Sequence, residues 1–93
     1  MSRPTVTQIR STLADVWYEL LGHRPQAHSG FFDLGGSSMH LVMLTLAVDE
    51  RFGVDLAIDD LFGEDFAFEE NVTAVTRAIG VEEAAAETGG ESR

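Results

Sequence analysis

The chain has 93 residues and a mass of 10.1 kDa, which is room for one domain. Six Arg and no Lys stand against sixteen acidic residues, and a net charge of -10 with a pI near 4.4 sets the chain against phosphate backbones and anionic membranes. The missing Lys excludes a P-loop and Schiff-base chemistry, and the absence of Cys excludes disulfides, thiolate metal sites and a cysteine nucleophile.

The first predicted element is a helix. Val6, Ile9, Leu13, Val16, Trp17, Leu20 and Leu21 recur at spacings of three and four, one apolar stripe. Thr5 is its expected N-cap, with Gln8 completing a capping box, and Gly22 is its stop. Residues 22–36 form a long loop in which the adjacent pair Phe31-Phe32 supplies anchors. A second helix is predicted from Ser38 to Phe52, with Ser37 as N-cap and Gly53 as stop. Its middle, Leu41 to Val48, is apolar almost all round. Such a helix is central in a bundle or keeps a second face for a partner.

Val54 to Leu56 reads as extended, and Ile58 to Phe62 has room for one or two helical turns. Residues 63–70 read as an acidic loop carrying Phe66 and Phe68. A last helix is expected to start at Asn71 as N-cap, with an apolar face of Val72, Val75, Ala78 and Ile79 and a stop near Gly80. The expected division is an N-terminal tail over 1–4, a domain over 5–80 and an acidic, disordered tail over 81–93. The fold class is all-α, a small four-helix bundle with three longer helices and one short third helix. No signal peptide or membrane span is visible, so a cytoplasmic monomer is expected.

Phe31-Phe32-Asp33-Leu34-Gly35-Gly36-Ser37-Ser38-Met39 is the one segment with chemistry. Two glycines allow close approach of the backbone just before a helix. The Ser38 hydroxyl is then presented at a helix N-terminus, where free N–H groups favour a phosphate. Asp33 is placed to close the turn by accepting backbone N–H bonds. The plain alternative is a Gly-rich turn with serine caps and no chemistry.

Phe32-Asp33-Leu34-Gly35-Gly36-Ser37-Ser38 resembles the core motif of the peptidyl carrier proteins of nonribosomal peptide synthesis, also called thiolation domains. Trp17, Leu20, Leu21 and Gly22 resemble the end of that family's first helix. Arg51 to Leu56 and Asp60-Leu61-Phe62 resemble the stretch between its second and third, so the likeness covers about residues 5–80. It implies a 4'-phosphopantetheine arm, taken from coenzyme A, on Ser38, with Asp33, Leu34, Gly35, Gly36 and Ser37 as the surrounding motif. It implies a protein without catalytic residues of its own. Its partners would be a phosphopantetheinyl transferase, an adenylation enzyme, and condensation, tailoring or thioesterase enzymes. The expected docking face is Met39, Leu41, Val42 and Met43 with Leu61 and Phe62. The sequence departs from the family in two places. Residues 63–70 read as an insertion, and Met43 stands where a polar residue is common. Beginning at Met and ending in an acidic tail, the chain reads as a free-standing carrier.

Three other readings compete with this one. One is an acyl carrier of a polyketide-type or hybrid pathway, and another is a helical interaction adaptor with no arm. The third is a serine hydrolase. It fails because His40 lies two residues beyond Ser38 on a helix, and because Gly-x-Ser-x-Gly is absent. The spacing of His23, His28 and His40 suits no metal.

Overall fold

The computed structural model describes residues 4–80. The tails expected over 1–4 and 81–93 therefore lie, apart from Pro4, outside the described residues. Three α-helices and one short helical turn make up the described fold: α1 (Val6–Leu21), α2 (Ser38–Phe52), a 3₁₀ turn (Ile58–Asp60) and α3 (Phe68–Ile79). The all-α bundle and its short third helix are as the sequence implies. The third element is a single turn of three residues.

The α1 N-terminus is held by a complete capping box. The Gln8 N–H donates to Thr5 Oγ1 at 3.1 Å, and the Thr5 N–H donates to Gln8 Oε1 at 2.8 Å. Gly22, at φ +81°, ends the helix in the left-handed conformation that a side chain would resist. Ile9, Leu13, Val16 and Trp17 are buried and form the spine against which α2 and α3 pack. In α2 the buried residues are Leu41, Leu44 and Val48, spaced for one stripe only.

Aromatic rings fill the space between the loops. Trp17 is fully buried and meets Phe31, Phe62 and Phe68 edge-on at centroid distances of 5.1, 5.9 and 5.2 Å. Each such pair adds about 0.5–1.5 kcal/mol beyond its buried area. Phe32 and Phe66 extend the cluster outward, 5.1 Å apart. Two loops are also joined by backbone bonds. Phe31 N–H donates to Phe66 O at 2.8 Å, Phe68 N–H to Ser29 O at 2.9 Å, and Glu69 N–H to Ala27 O at 3.0 Å, around a lone β-bridge between Gly30 and Ala67.

The start of the last helix differs from the expectation. Asn71 is not its N-cap; it is the fourth residue of α3 and is fully buried. Its amide oxygen accepts from Trp17 Nε1 at 3.0 Å, and its Nδ2 donates to Leu61 O at 3.2 Å. The capping work falls to Glu70. Its carboxylate accepts the N–H groups of Ala67 and Gly63, both at 3.0 Å, and of Asp65 at 3.4 Å. Residues 63–70 are thus packed onto the bundle. Phe68 opens α3 in the core, and Phe66 is half-buried against Phe32 and Phe62. Farther along the same face of α3, Val72 and Val75 are buried and Ile79 half-buried, whereas Ala78 is exposed.

This capping has a consequence for pH. Hydrogen bonding to Ala67, Asp65, Gly63 and Phe66 holds the Glu70 carboxyl below the usual glutamate range against a smaller opposing effect of burial. Glu69 is also lowered, chiefly by its hydrogen bonds to Arg10, which tie α1 to α3. For both groups the folded pKa lies below the unfolded one. Their stabilisation is therefore complete above about pH 4.3, the ordinary glutamate value, and is lost as pH falls through the lower folded values. Thermal melts of the native chain and Glu70→Gln should differ most at pH 7, and the difference should shrink as the pH falls below the ordinary glutamate value. A gap that stays constant down to pH 3 would contradict the capping role.

Candidate functional site

The candidate site is the turn that delivers the chain into α2. It is closed by three backbone bonds: Leu34 N–H to Gly30 O at 3.1 Å, Gly35 N–H to Phe32 O at 3.1 Å, and Gly36 N–H to Phe31 O at 3.0 Å. The Asp33 side chain is therefore not what closes it. Its carboxylate is exposed and lies against Gly30, where an added Cβ would come within 2.6 Å of Oδ2. Phe31 anchors the turn in the core and Leu34 packs half-buried against it. Gly35 sits at φ +96°, which side chains rarely adopt. Gly36 is required for space: a Cβ there would lie 2.7 Å from Phe31 O and nearer still to the Phe31 ring.

Ser37 and Ser38 follow, and the structure treats them differently. Ser37 is the N-cap of α2, in extended conformation at φ -133° and ψ 177°. Its Oγ accepts the His40 N–H at 3.3 Å and lies 2.9 Å from His40 Nδ1, which also accepts the Ser37 N–H at 3.1 Å. Ser38 is the first helical residue and is exposed, and its hydroxyl makes no hydrogen bond among the described residues. His40 thus faces Ser37, which removes the geometry of a Ser38–His40 pair. An open groove of about 560 Å³ lined by Leu56, Phe62, Ala74, Ala78, Asp60 and Arg77 includes neither Ser38 nor a histidine. Among the described residues no group of three or more His, Cys, Asp or Glu could hold a metal ion, and no helix is long and apolar enough to cross a membrane.

The expected docking residues separate into two sets. Met39, at 66% exposure, stands beside Ser38, and Val42 and Met43 are exposed one turn along α2. Leu41 and Leu61 are not surface residues. Leu41 points into the helix interface and Leu61 is fully buried beneath Asn71, so both belong to the core. Phe62 is half-buried among the rings of Trp17, Phe31 and Phe66.

Two residues have parts in the site that the sequence did not assign them. Leu46 is 63% exposed and extends the Met39–Met43 stripe by another turn. Its signal was the continuous apolar run, which one buried stripe could not absorb. His40 is the other. Its signal was the Ser-x-x-His spacing, with His in the place that Glu or Gln holds in a capping box.

A family model for the phosphopantetheine attachment site matches residues 11–65, from within α1 through the turn and α2 to beyond the 3₁₀ helix. Comparison with curated proteins gives no match. Proteins of this family are carriers and not catalysts, and they interact with phosphopantetheinyl transferases and biosynthetic enzymes. Since the match spans more than half of the 93 residues, the chain belongs to the phosphopantetheine attachment site family and is a carrier protein for a covalently attached 4'-phosphopantetheine.

Proposed function

We propose that Ser38 carries the arm and that the chain is a peptidyl carrier, tethering an amino acid or acyl group for nonribosomal peptide or related natural-product synthesis. The observation that carries the site is the contrast between two neighbouring hydroxyls: that of Ser37 is engaged by His40, and that of Ser38 is exposed and makes no hydrogen bond among the described residues. The surroundings suit a phosphodiester. Ser38 opens a 15-residue helix, whose first N–H groups and dipole favour an anion. In the transfer, Ser38 Oγ forms a bond to the phosphorus that bears pantetheine in coenzyme A. The pyrophosphate P–O bond breaks and the adenosine bisphosphate half departs. The hydroxyl proton passes to a base outside this chain. Once attached, the arm supplies a thiol that holds cargo as a thioester. This chain contributes no Cys to compete with it. Its own contributions are a fixed attachment point, a raised effective concentration and a recognition face.

The peptidyl assignment rests on the Gly35-Gly36-Ser37-Ser38 sequence, richer in glycine and without the acidic residue that commonly precedes the modified serine in fatty-acid and polyketide carriers. The partner face is assigned to Met39, Val42, Met43 and Leu46, exposed apolar side chains on the helix that Ser38 opens. The net charge of -10 favours adenylation, condensation, tailoring or thioesterase enzymes with basic rims, which speed encounter at low salt.

Loading tests both assignments at once. The arm-bearing protein should gain an aminoacyl mass from an adenylation enzyme with ATP and its amino acid, and none from a malonyl-transferring enzyme with malonyl-coenzyme A. The reverse would assign the chain to a polyketide-type pathway. Met39→Asp should slow this loading by about tenfold, as loss of an interface contact of roughly 1.4 kcal/mol does, with an unchanged melting temperature. A melted Met39→Asp variant would place Met39 in the core and remove it from the face.

A further inference from the structure

His40 takes the third position of the α2 capping box, and it is the side chain that distinguishes the two serines. The Ser37 N–H donates to Nδ1 at 3.1 Å, so Nδ1 is an acceptor and the ring proton resides on Nε2. The same Nδ1 lies 2.9 Å from Ser37 Oγ, which accepts the His40 N–H at 3.3 Å. Four polar atoms of Ser37 and His40 are thereby closed on one another, and the peptide that leads into Ser38 is held at its N-terminal side. The α1 terminus carries out the same closure with Thr5 and Gln8, so an amide side chain suffices for it.

We infer that His40 is a positioning residue for the modification of Ser38, locking Ser37 into the α2 cap and leaving the neighbouring hydroxyl as the one available to a transferase. The inference rests on Ser38 as the attachment point. Held by His40, Ser37 presents neither a free hydroxyl nor a mobile backbone. The first turn of α2 is then formed before a partner arrives, so Ser38 is offered in one orientation and less ordering is needed on binding. The ring acts on Ser37 alone and touches no reacting atom, which separates it from a catalytic residue.

The test uses the full chain as wild type, His40→Ala and His40→Gln. ¹⁵N shifts of the wild-type ring should show Nε2 protonated and Nδ1 bare. In His40→Ala the Ser37 amide should exchange with solvent about fivefold faster, and the initial rate of phosphopantetheine transfer from coenzyme A should fall by a similar factor, the size of effect that loss of a cap produces. His40→Gln should return both to within about twofold of wild type, because Gln8 makes this contact in α1. Unchanged exchange and transfer in His40→Ala would overturn the inference. So would equal losses in both variants, which would mean that the ring itself is recognised. Absence of any mass gain in the wild type would instead overturn the attachment reading, while the Ser37 exchange rates would still report on the cap.

Discussion

Ser38→Ala is expected to abolish the mass gain when the protein is incubated with coenzyme A and a phosphopantetheinyl transferase. Ser37→Ala should still reach one arm per chain. The chemical reason is that only an oxygen nucleophile at the right place can form the phosphodiester. Ser38 Oγ is exposed at the first position of α2, whereas Ser37 Oγ is turned into the cap toward His40. Fold loss does not complicate the result, because the Ser38 side chain makes no hydrogen bond among the described residues and Ala at a first helical position is well tolerated. Ser37→Ala removes the cap and should lower stability by about 1 kcal/mol, slowing modification without stopping it. A modified Ser38→Ala protein would move the attachment point, and Ser37 would be the residue to examine.

The second large effect concerns stability. Asn71→Ala should destabilise the domain by roughly 2–4 kcal/mol, since it leaves the Trp17 indole N–H and the Leu61 carbonyl without partners in the core. For a domain of this size that corresponds to a fall in melting temperature of roughly 10–25 °C. Asn71→Leu should not rescue it, because an apolar side chain satisfies neither group. Trp17→Phe empties core volume and is destabilising by itself, but it should cost less in the Asn71→Ala background than in the native chain, as it removes one of the two orphaned groups. This comparison measures the coupling directly. A loss below about 0.5 kcal/mol for Asn71→Ala would place Asn71 with surface residues and refute the buried link. The effect matters for function because Trp17 also contacts Phe31, and Phe31 anchors the turn before Ser37 and Ser38.

Local chemistry explains which parts of this architecture could be read in advance. Thr5 with Gln8, Ser37, Gly22 and Gly53 act through bonds or dihedral angles within four residues of themselves, so the bounds of α1 and α2 follow from the chain alone. The same holds for the Gly35-Gly36-Ser37-Ser38 turn, whose geometry depends on its own glycines and on the helix it opens. The apolar run of α2 also announced an uncovered face, because a helix packed on one side buries only one stripe.

Tertiary structure decided the rest. Asn71 has the local character of an N-cap, and nothing adjacent in sequence reveals that Trp17, 54 positions earlier, donates its indole N–H to it. With Asn71 drawn inward, α3 begins earlier, at Phe68, and the Glu70 carboxylate gathers the N–H groups that an N-cap side chain would have met. Leu41 and Leu61 are as apolar as Met39 and Leu46, yet the first two are buried and the last two exposed. Hydrophobicity does not separate them; which face of α2 packs on the rest of the bundle, and the enclosure of Leu61 in the core, determine which side chains lose water. The turn before α2 was legible because its glycines and its cap act locally. The composition of the surface around it was not, because burial depends on residues distant in the chain.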